Sequence, residues 1–166
     1  MAAKYYAIKS CVQSTLKPIG AIDETGDIPI NFVNTFSQSR ESDSLAARAD
    51  GVEVITLETN VKYTFSVSME VITEPVLAML MGAEYNAETK EITAKAEAPT
   101  TVYSLEGVFT LVGDDGSRLV KKMNIGKCRP IANNTVDLSS IDLSTFELQF
   151  NMLIDNNEFF KIVNNA

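Results

Sequence analysis

The sequence has no histidine and no tryptophan. Without histidine there can be no Ser-His-Asp or Cys-His catalysis, no His-based zinc site and no ordinary general base, so catalysis would have to rest on carboxylates, Lys or Tyr. Without tryptophan the preferred stacking platform for sugars is missing, although Tyr5, Tyr6, Tyr63, Tyr85 and Tyr103 remain. Cysteine is scarce. Cys11 and Cys128 lie far apart in strand-like stretches, and they read as buried thiols of a reduced compartment rather than as a disulfide. No apolar run approaches the roughly 20 residues needed to cross a bilayer. The amino terminus, Met1 to Tyr6, has neither an apolar core nor a cleavage site, so no secretory signal is expected. Positive charge is also short. The net charge of −8 opposes a grip on nucleic acid or on an anionic membrane, but it does not oppose nucleic acid sliding past.

What is present is alternation. Val61, Tyr63, Phe65, Val67, Met69 and Val71 are apolar at every odd position, while Lys62, Thr64, Ser66, Ser68 and Glu70 are polar at every even one. Successive side chains of a strand point to opposite faces, so this stretch predicts a long strand with one dry and one wet face. It must sit in a sheet and face a second apolar layer. The last strand repeats the pattern: Phe146, Leu148, Phe150, Met152 and Ile154 face one way, with Glu147, Gln149, Asn151 and Asp155 opposite. With 166 residues, 45% of them hydrophobic, the chain suits one domain, 1–166, with a sizeable core.

Between these strands the punctuation is legible. Thr73 suits an N-cap, Glu74 the helix dipole and Pro75 the first turn, and Gly82 ends the apolar run Val76 to Met81. A short α-helix over about 74–82 follows. It is apolar nearly all round, so it is expected to plug the sheet; an exposed Met-bearing binding surface is the alternative. A first strand is expected over Lys4–Gln13, with Lys17-Pro18-Ile19-Gly20 and Asp23 to Asp27 as turns. Ile28, Ile30 and Phe32 mark an edge strand or extended arm carrying Pro29. Thr59-Asn60 reads as a bend or bulge before the central strand, and a weak strand is expected around Ile92. Gly113-Asp114-Asp115-Gly116-Ser117 between apolar runs signals a hairpin, and it offers too few oxygen ligands for calcium. Lys121, Lys122, Lys127 and Arg129 read as a solvated hairpin edge. The tail carries Phe159, Phe160, Ile162 and Val163 and is expected to pack on its own subunit or on a partner. From Asn34 to Gly51 the periodicity fails, so a long polar loop is expected over about 34–51. It is either a solvated, variable loop or an arm that orders against a neighbouring subunit, with Phe36, Arg40, Glu41, Asp43, Leu45 and Arg48 as its contact residues.

These elements predict a mainly-β fold, a β-sandwich or half-barrel of antiparallel strands with one short helix. No residues are singled out as catalytic, cofactor-binding or metal-binding. Taken in order, the elements resemble the tail-tube (major tail) proteins of tailed bacteriophages. The likeness is carried by VKYTFSVSMEVITEPVLAMLMGAEY, Val61 to Tyr85, and by DLSTFELQFNMLID, Asp142 to Asp155. The resemblance implies a structural virion protein, not an enzyme and without cofactors, whose hexameric rings stack into a hollow tube for DNA delivery. It implies as partners further copies of the chain, tape-measure and terminator proteins and, in a contractile tail, a sheath, with DNA passing unbound and no membrane. Assembly in the host bacterial cytoplasm and residence in the virion follow from the same resemblance. Lys62, Thr64, Ser66, Ser68, Glu70, Glu147, Gln149 and Asn151 would line the lumen; the alternative is that they face bulk solvent. The reading from another class is a β-sandwich ligand-binding module, for example for carbohydrate.

Overall fold

The alternating stretches become strands in a computed structural model that describes residues 5–19, 26–30, 33–133, 135–136 and 145–164. Along the chain run β1 (Tyr6–Pro18), β2 (Ile28–Ile30), β3 (Val33–Ala49), β4 (Val52–Met69), α1 (Glu74–Met81), β5 (Glu84–Asn86), β6 (Glu91–Thr93), β7 (Tyr103–Gly113), β8 (Arg118–Ile131), β9 (Phe146–Leu153) and β10 (Lys161–Asn164). One antiparallel sheet has the order β2-β1-β7-β8-β9-β4-β3, with β10 also paired to β8, while β5 and β6 form a separate small ribbon. The mainly-β, sandwich-like architecture matches the alternation. Pro29 sits in β2 at the sheet edge, where its missing N–H removes no ladder bond from an interior strand.

The core is where the two strongest alternating rows meet. Phe65 pairs with Phe150 and Val67 with Leu148, and all four are fully buried. Met69, Leu16, Ile30, Leu105, Ile125 and Cys128 belong to the same cluster. Each large aliphatic or aromatic side chain so buried contributes about 1.5–3 kcal/mol, an upper figure because the unfolded chain is already partly collapsed.

Helix α1 closes one end of the sheet. Thr73 has an extended backbone at its start and its carbonyl accepts from the Leu77 N–H at 2.9 Å, although its side chain makes no capping bond. At the other end Gly82 takes φ 66° and donates to the Met79 carbonyl, while Ala83 donates to the Ala78 carbonyl at 2.8 Å. A Cβ on Gly82 would come within 2.8 Å of the Ala132 Cβ, so both conformation and space require glycine there. Val76, Ala78, Met79 and Leu80 are buried, which makes the helix a core plug.

Several expectations are corrected. The segment expected as a long polar loop over 34–51 is strand β3, paired with β4 along nearly its whole length. Its period of two is masked because most of it is exposed on both faces, so burial imposes no apolar pattern. A two-residue turn at Asp50 (φ 52°) and Gly51 (φ 79°) joins β3 to β4. Lys17 and Pro18 continue β1 instead of turning, because they pair with Ser104 and Tyr103. The Asp23 to Thr25 part of the second expected turn and the Cys11 side chain lie outside the described residues. Val71 leaves the buried row and is exposed after β4 ends. The basic cluster is not a hairpin edge, since β8 lies inside the sheet. Its members are dispersed: Lys122 bonds Glu106 and Lys127 bonds Asp155, each at 2.9 Å.

The hairpin at Gly113 to Ser117 and the bulge at Thr59-Asn60 are as expected. The tail packs on its own subunit. Asn156 and Asn157 turn the chain with φ of 49° and 65°, Phe159 and Phe160 pack on Tyr63 at ring distances of 4.9 and 5.5 Å, and β10 then joins β8.

Candidate functional site

The polar side chains opposite the core rows come together on one surface. Thr64 stands across from Asn151, Ser66 from Gln149 and Ser68 from Glu147. On the other flank of β4, Lys62 pairs with Glu41, Thr64 with Ser39, Ser66 with Ser37 and Ser68 with Thr35. From β8, Arg129 comes beside Asn151 and Ile131 beside Gln149. Seven of the eight residues expected on a polar face therefore share a four-stranded ladder; Glu70 follows the end of β4 and lies outside it. Sequence alone could not show that the rows of β4 and β9 are neighbours in register.

Short side chains dominate this face and bond along it. The Thr35 and Ser68 hydroxyls are hydrogen-bonded. Gln149 Nε2 donates to Glu147 Oε1 at 3.1 Å, and Asn133 Nδ2 donates to the Glu147 carbonyl at 3.1 Å. Lys62 and Arg129 offset Glu41 and Glu147, so the ladder is close to neutral rather than the net-negative wall that composition suggests. Acidic residues instead gather around α1, β5 and β6, where Glu74, Glu84, Glu88, Glu91 and Glu97 outnumber Lys90 and Lys95.

The β3–β4 pair continues past the sheet. Strand β9 pairs with β4 only from Thr64 to Met69, whereas the β3–β4 ladder runs on to Ala49 and Val52. The seven pairs from Asp43 outward form a two-stranded ribbon roughly 23 Å long at about 3.3 Å per residue. Leu45 pairs with Leu57, Ala47 with Ile55 and Ala49 with Val52, which gives the ribbon one apolar face. Leu45, Leu57, Ile55 and Val52 are 62, 59, 53 and 67% exposed.

All six residues expected to contact a neighbour lie in β3. Phe36 pairs with Val67 within the sheet and Glu41 with Lys62 near the ribbon's root, while Leu45 and Arg48 are on the ribbon. At the root, Arg40 forms an ion pair with Glu58 and Asn60 Nδ2 donates to Asp43 Oδ2 at 2.8 Å. The Arg40 hydrogen bond, and then its charge, hold the Glu58 carboxyl below the usual range and raise Arg40 in turn. The ribbon was legible in principle: Asp50-Gly51 is a strong hairpin signal, and alternating Leu45, Ala47 and Ala49 face alternating Ile55 and Leu57.

At the other end of the strands, beside α1, a cleft of about 470 Å³ is walled by Pro18, Ile28, Met79 and Tyr103, with exposed Asp27 and Glu84. Burial raises the Tyr103 phenol. Tyr85 Oη donates to Glu74 Oε2 at 2.7 Å, which raises the Tyr85 phenol. Among the described residues there is no cluster of His, Cys, Asp and Glu suited to a metal ion, and no helix long and apolar enough to cross a membrane.

No protein-family model and no curated sequence matches the chain. Among solved structures it is similar to a chain in the 6-fold symmetrised baseplate of the anti-feeding prophage (AFP), with a TM-score of 0.45 and 9% identity over 98% of this chain and 95% of that one. It is also similar to a chain of the sheath-tube complex of PVC, an extracellular contractile injection system, in the extended state, with a TM-score of 0.45 and 14% identity over 92% and 89%. A third similar chain belongs to the PVC sheath/tube terminator, with a TM-score of 0.42 and 14% identity over 93% and 94%. At 14% identity or less, no residue correspondence follows from these likenesses.

Proposed function

We propose that this chain is a structural subunit that assembles with copies of itself into stacked rings around a channel, as the tail tube of a phage-like particle. The observation that carries the reading is the pairing of a polar, small-residue ladder with a projecting ribbon whose apolar face is bare. The ladder's other side is sealed by the subunit's own core, so the sheet is a wall with one wet surface. The ribbon leaves one end of β4 while α1 and its cleft close the other, so the bare apolar face and a partly apolar cleft rimmed by Asp27 and Glu84 sit at opposite ends. Donor and acceptor patches that differ make a heterologous, head-to-tail contact, the kind that propagates into rings or filaments.

In this reading the ladder lines the lumen and the ribbon binds the next copy. Sixfold rings, DNA as cargo, and tape-measure, terminator and sheath partners come from the sequence resemblance. A near-neutral wall of hydroxyls and amides lets DNA slide, because it neutralises few phosphates. A sugar-binding module is less well supported. Tyr63 is engaged by Phe159 and Phe160, Tyr85 by Glu74, and Tyr103 is half-buried, so these rings are not free platforms.

The test is electron microscopy together with sedimentation of the purified protein across a concentration series. Rings or tubes of uniform width are expected. A subunit that stays monomeric throughout and retains a saccharide would overturn the reading.

A further inference from the structure

We propose that the facing of the ribbon's apolar residues, set at the Asn60 joint by the unbroken alternation of β3 from Glu41 to Ala47, determines whether a second copy of this chain reads them. The proposal rests on the assembly reading above. Within β4 the odd residues Phe65, Val67 and Met69 face the core. Unbroken alternation would send Leu57 and Ile55 to that same side. They emerge on the other.

The register shows how. Glu41 pairs with Lys62 and Asp43 with Thr59, so two steps along β3 match three along β4, and the extra residue lies in β4. No such shift interrupts β3 from Glu41 to Ala47, so Glu41, Asp43, Leu45 and Ala47 keep one side. Leu45 faces Leu57 there, on the side of Lys62, Thr64 and Ser66. The ribbon's apolar face thus continues the polar ladder, and its polar face continues the core side. A second shift, between Ala47–Ile55 and Arg48–Glu53, brings Val52 round to the same apolar face.

The joint is held in place. Asn60 takes φ 51°, a conformation that Asn tolerates better than most residues, and its amide grips Asp43 across the strands. The Arg40–Glu58 ion pair spans the same joint. Inversion matters because it carries the apolar residues away from the side where the subunit's own core lies. All four large ones are more than half exposed. The described residues leave this face uncovered, and a second copy offers a partly apolar cleft at the end of the strands remote from its own ribbon.

Two variants separate facing from the bulge itself. One threonine inserted between Ser42 and Asp43 places a residue opposite Asn60, keeps every ribbon pair and moves Leu45, Leu57 and Ile55 to the core side. Deleting Asn60 removes the bulge but leaves both the pairs and the facing unchanged. The insertion variant is expected to unfold cooperatively as a monomer yet need at least about tenfold more protein to assemble. The deletion variant is expected to assemble at close to the wild-type concentration. Equal assembly by the insertion variant, or equal failure by both, would overturn the role of facing while the assembly reading stands. A wild-type protein that never assembles would instead remove the reading, and this inference with it.

Discussion

Phe65 on β4 stands directly across the ladder from Phe150 on β9, and neither is exposed to solvent. The pair joins the two alternating rows at the centre of the core. Phe65→Ala or Phe150→Ala should cost about 3–5 kcal/mol. Because the residues are in contact, the double variant should cost less or more than the sum of the two. Ser66→Ala, one residue along but on the wet face, should change monomer stability by less than about 0.5 kcal/mol. Denaturant midpoints measure all three, and equal midpoints for Phe65→Ala and Ser66→Ala would reverse the assignment of faces.

If the ladder lines a DNA channel, as proposed, the wet face should matter to passage and hardly to folding. Changing Thr64, Ser66 and Ser68 together to Lys places three cations on a near-neutral wall. Each phosphate they neutralise releases counterions, so DNA would be held with a steep salt dependence. Particles of normal width that deliver DNA slowly, with partial rescue at high salt, are expected. Normal delivery from correctly assembled particles would exclude this ladder as the lumen.

The ribbon should separate assembly from stability. Its apolar face is more than half exposed among the described residues, so Ile55→Ser with Leu57→Ser should leave the monomer's unfolding midpoint nearly unchanged while abolishing large particles. Amide exchange should be fast from Asp43 to Thr59 in the free subunit and slow once assembled. Exchange equally slow in both states would mean that the ribbon needs no partner.

Acid should loosen the ribbon's root. Arg40 lowers the Glu58 pKa from its usual 4.5, so the ion pair contributes fully above that value. The contribution is lost as pH falls through the lowered, folded value. Both side chains are partly exposed, so salt should weaken the pair as well. Chemical shifts of the Glu58 carboxyl followed against pH, with Arg40→Gln as the control, measure it. An identical titration in the two proteins would show that the pair is idle.

Cys128 should be inert while the chain is folded. Burial pushes its thiol from 9.0 up to about 12. In a Cys11→Ser background, a thiol reagent at pH 8 should react only as fast as the protein opens. The unfolded thiol ionises first, so stability should fall as pH rises through 9.0 toward 12. Rapid modification of native protein would place Cys128 at the surface.

The dry-and-wet alternation of β4 and β9, the capped helix and the Asp115-Gly116 hairpin were legible because each expresses a local rule. Burial imposes a period of two on a strand, helix ends need caps, and tight turns need positive φ. Strand β3 was not legible as a strand. Exposed on most of its length, it is under little pressure to alternate, and only Asp50-Gly51 and the short Leu45, Ala47, Ala49 alternation gave it away. The polar ladder was half legible. Its residues could be named, but the fact that Ser66 meets Gln149 on one side and Ser37 on the other depends on pairings between segments far apart in sequence. The ribbon's facing was hidden for a sharper reason: one extra residue at Asn60 inverts the odd-even inference from Thr59 to Ile55, until the second shift restores it by Val52.

Strand order also sets a timetable. Strand β1 finds its long ladder on β7, whose last residue is Gly113, and among the described strands β2 pairs with β1 alone. At about 5–20 residues per second of synthesis, β1 waits on the order of ten seconds for its partner. Strands β3 and β4 need only each other and a two-residue turn, and hairpins close in about 1–10 μs. On a ribosome, therefore, the part of the subunit with the least packing is the first that can take shape. The amino-terminal strand meanwhile waits with the edge that β7 will cover open and only three residues of the other edge paired with β2, and it is the segment that a chaperone would have most reason to hold.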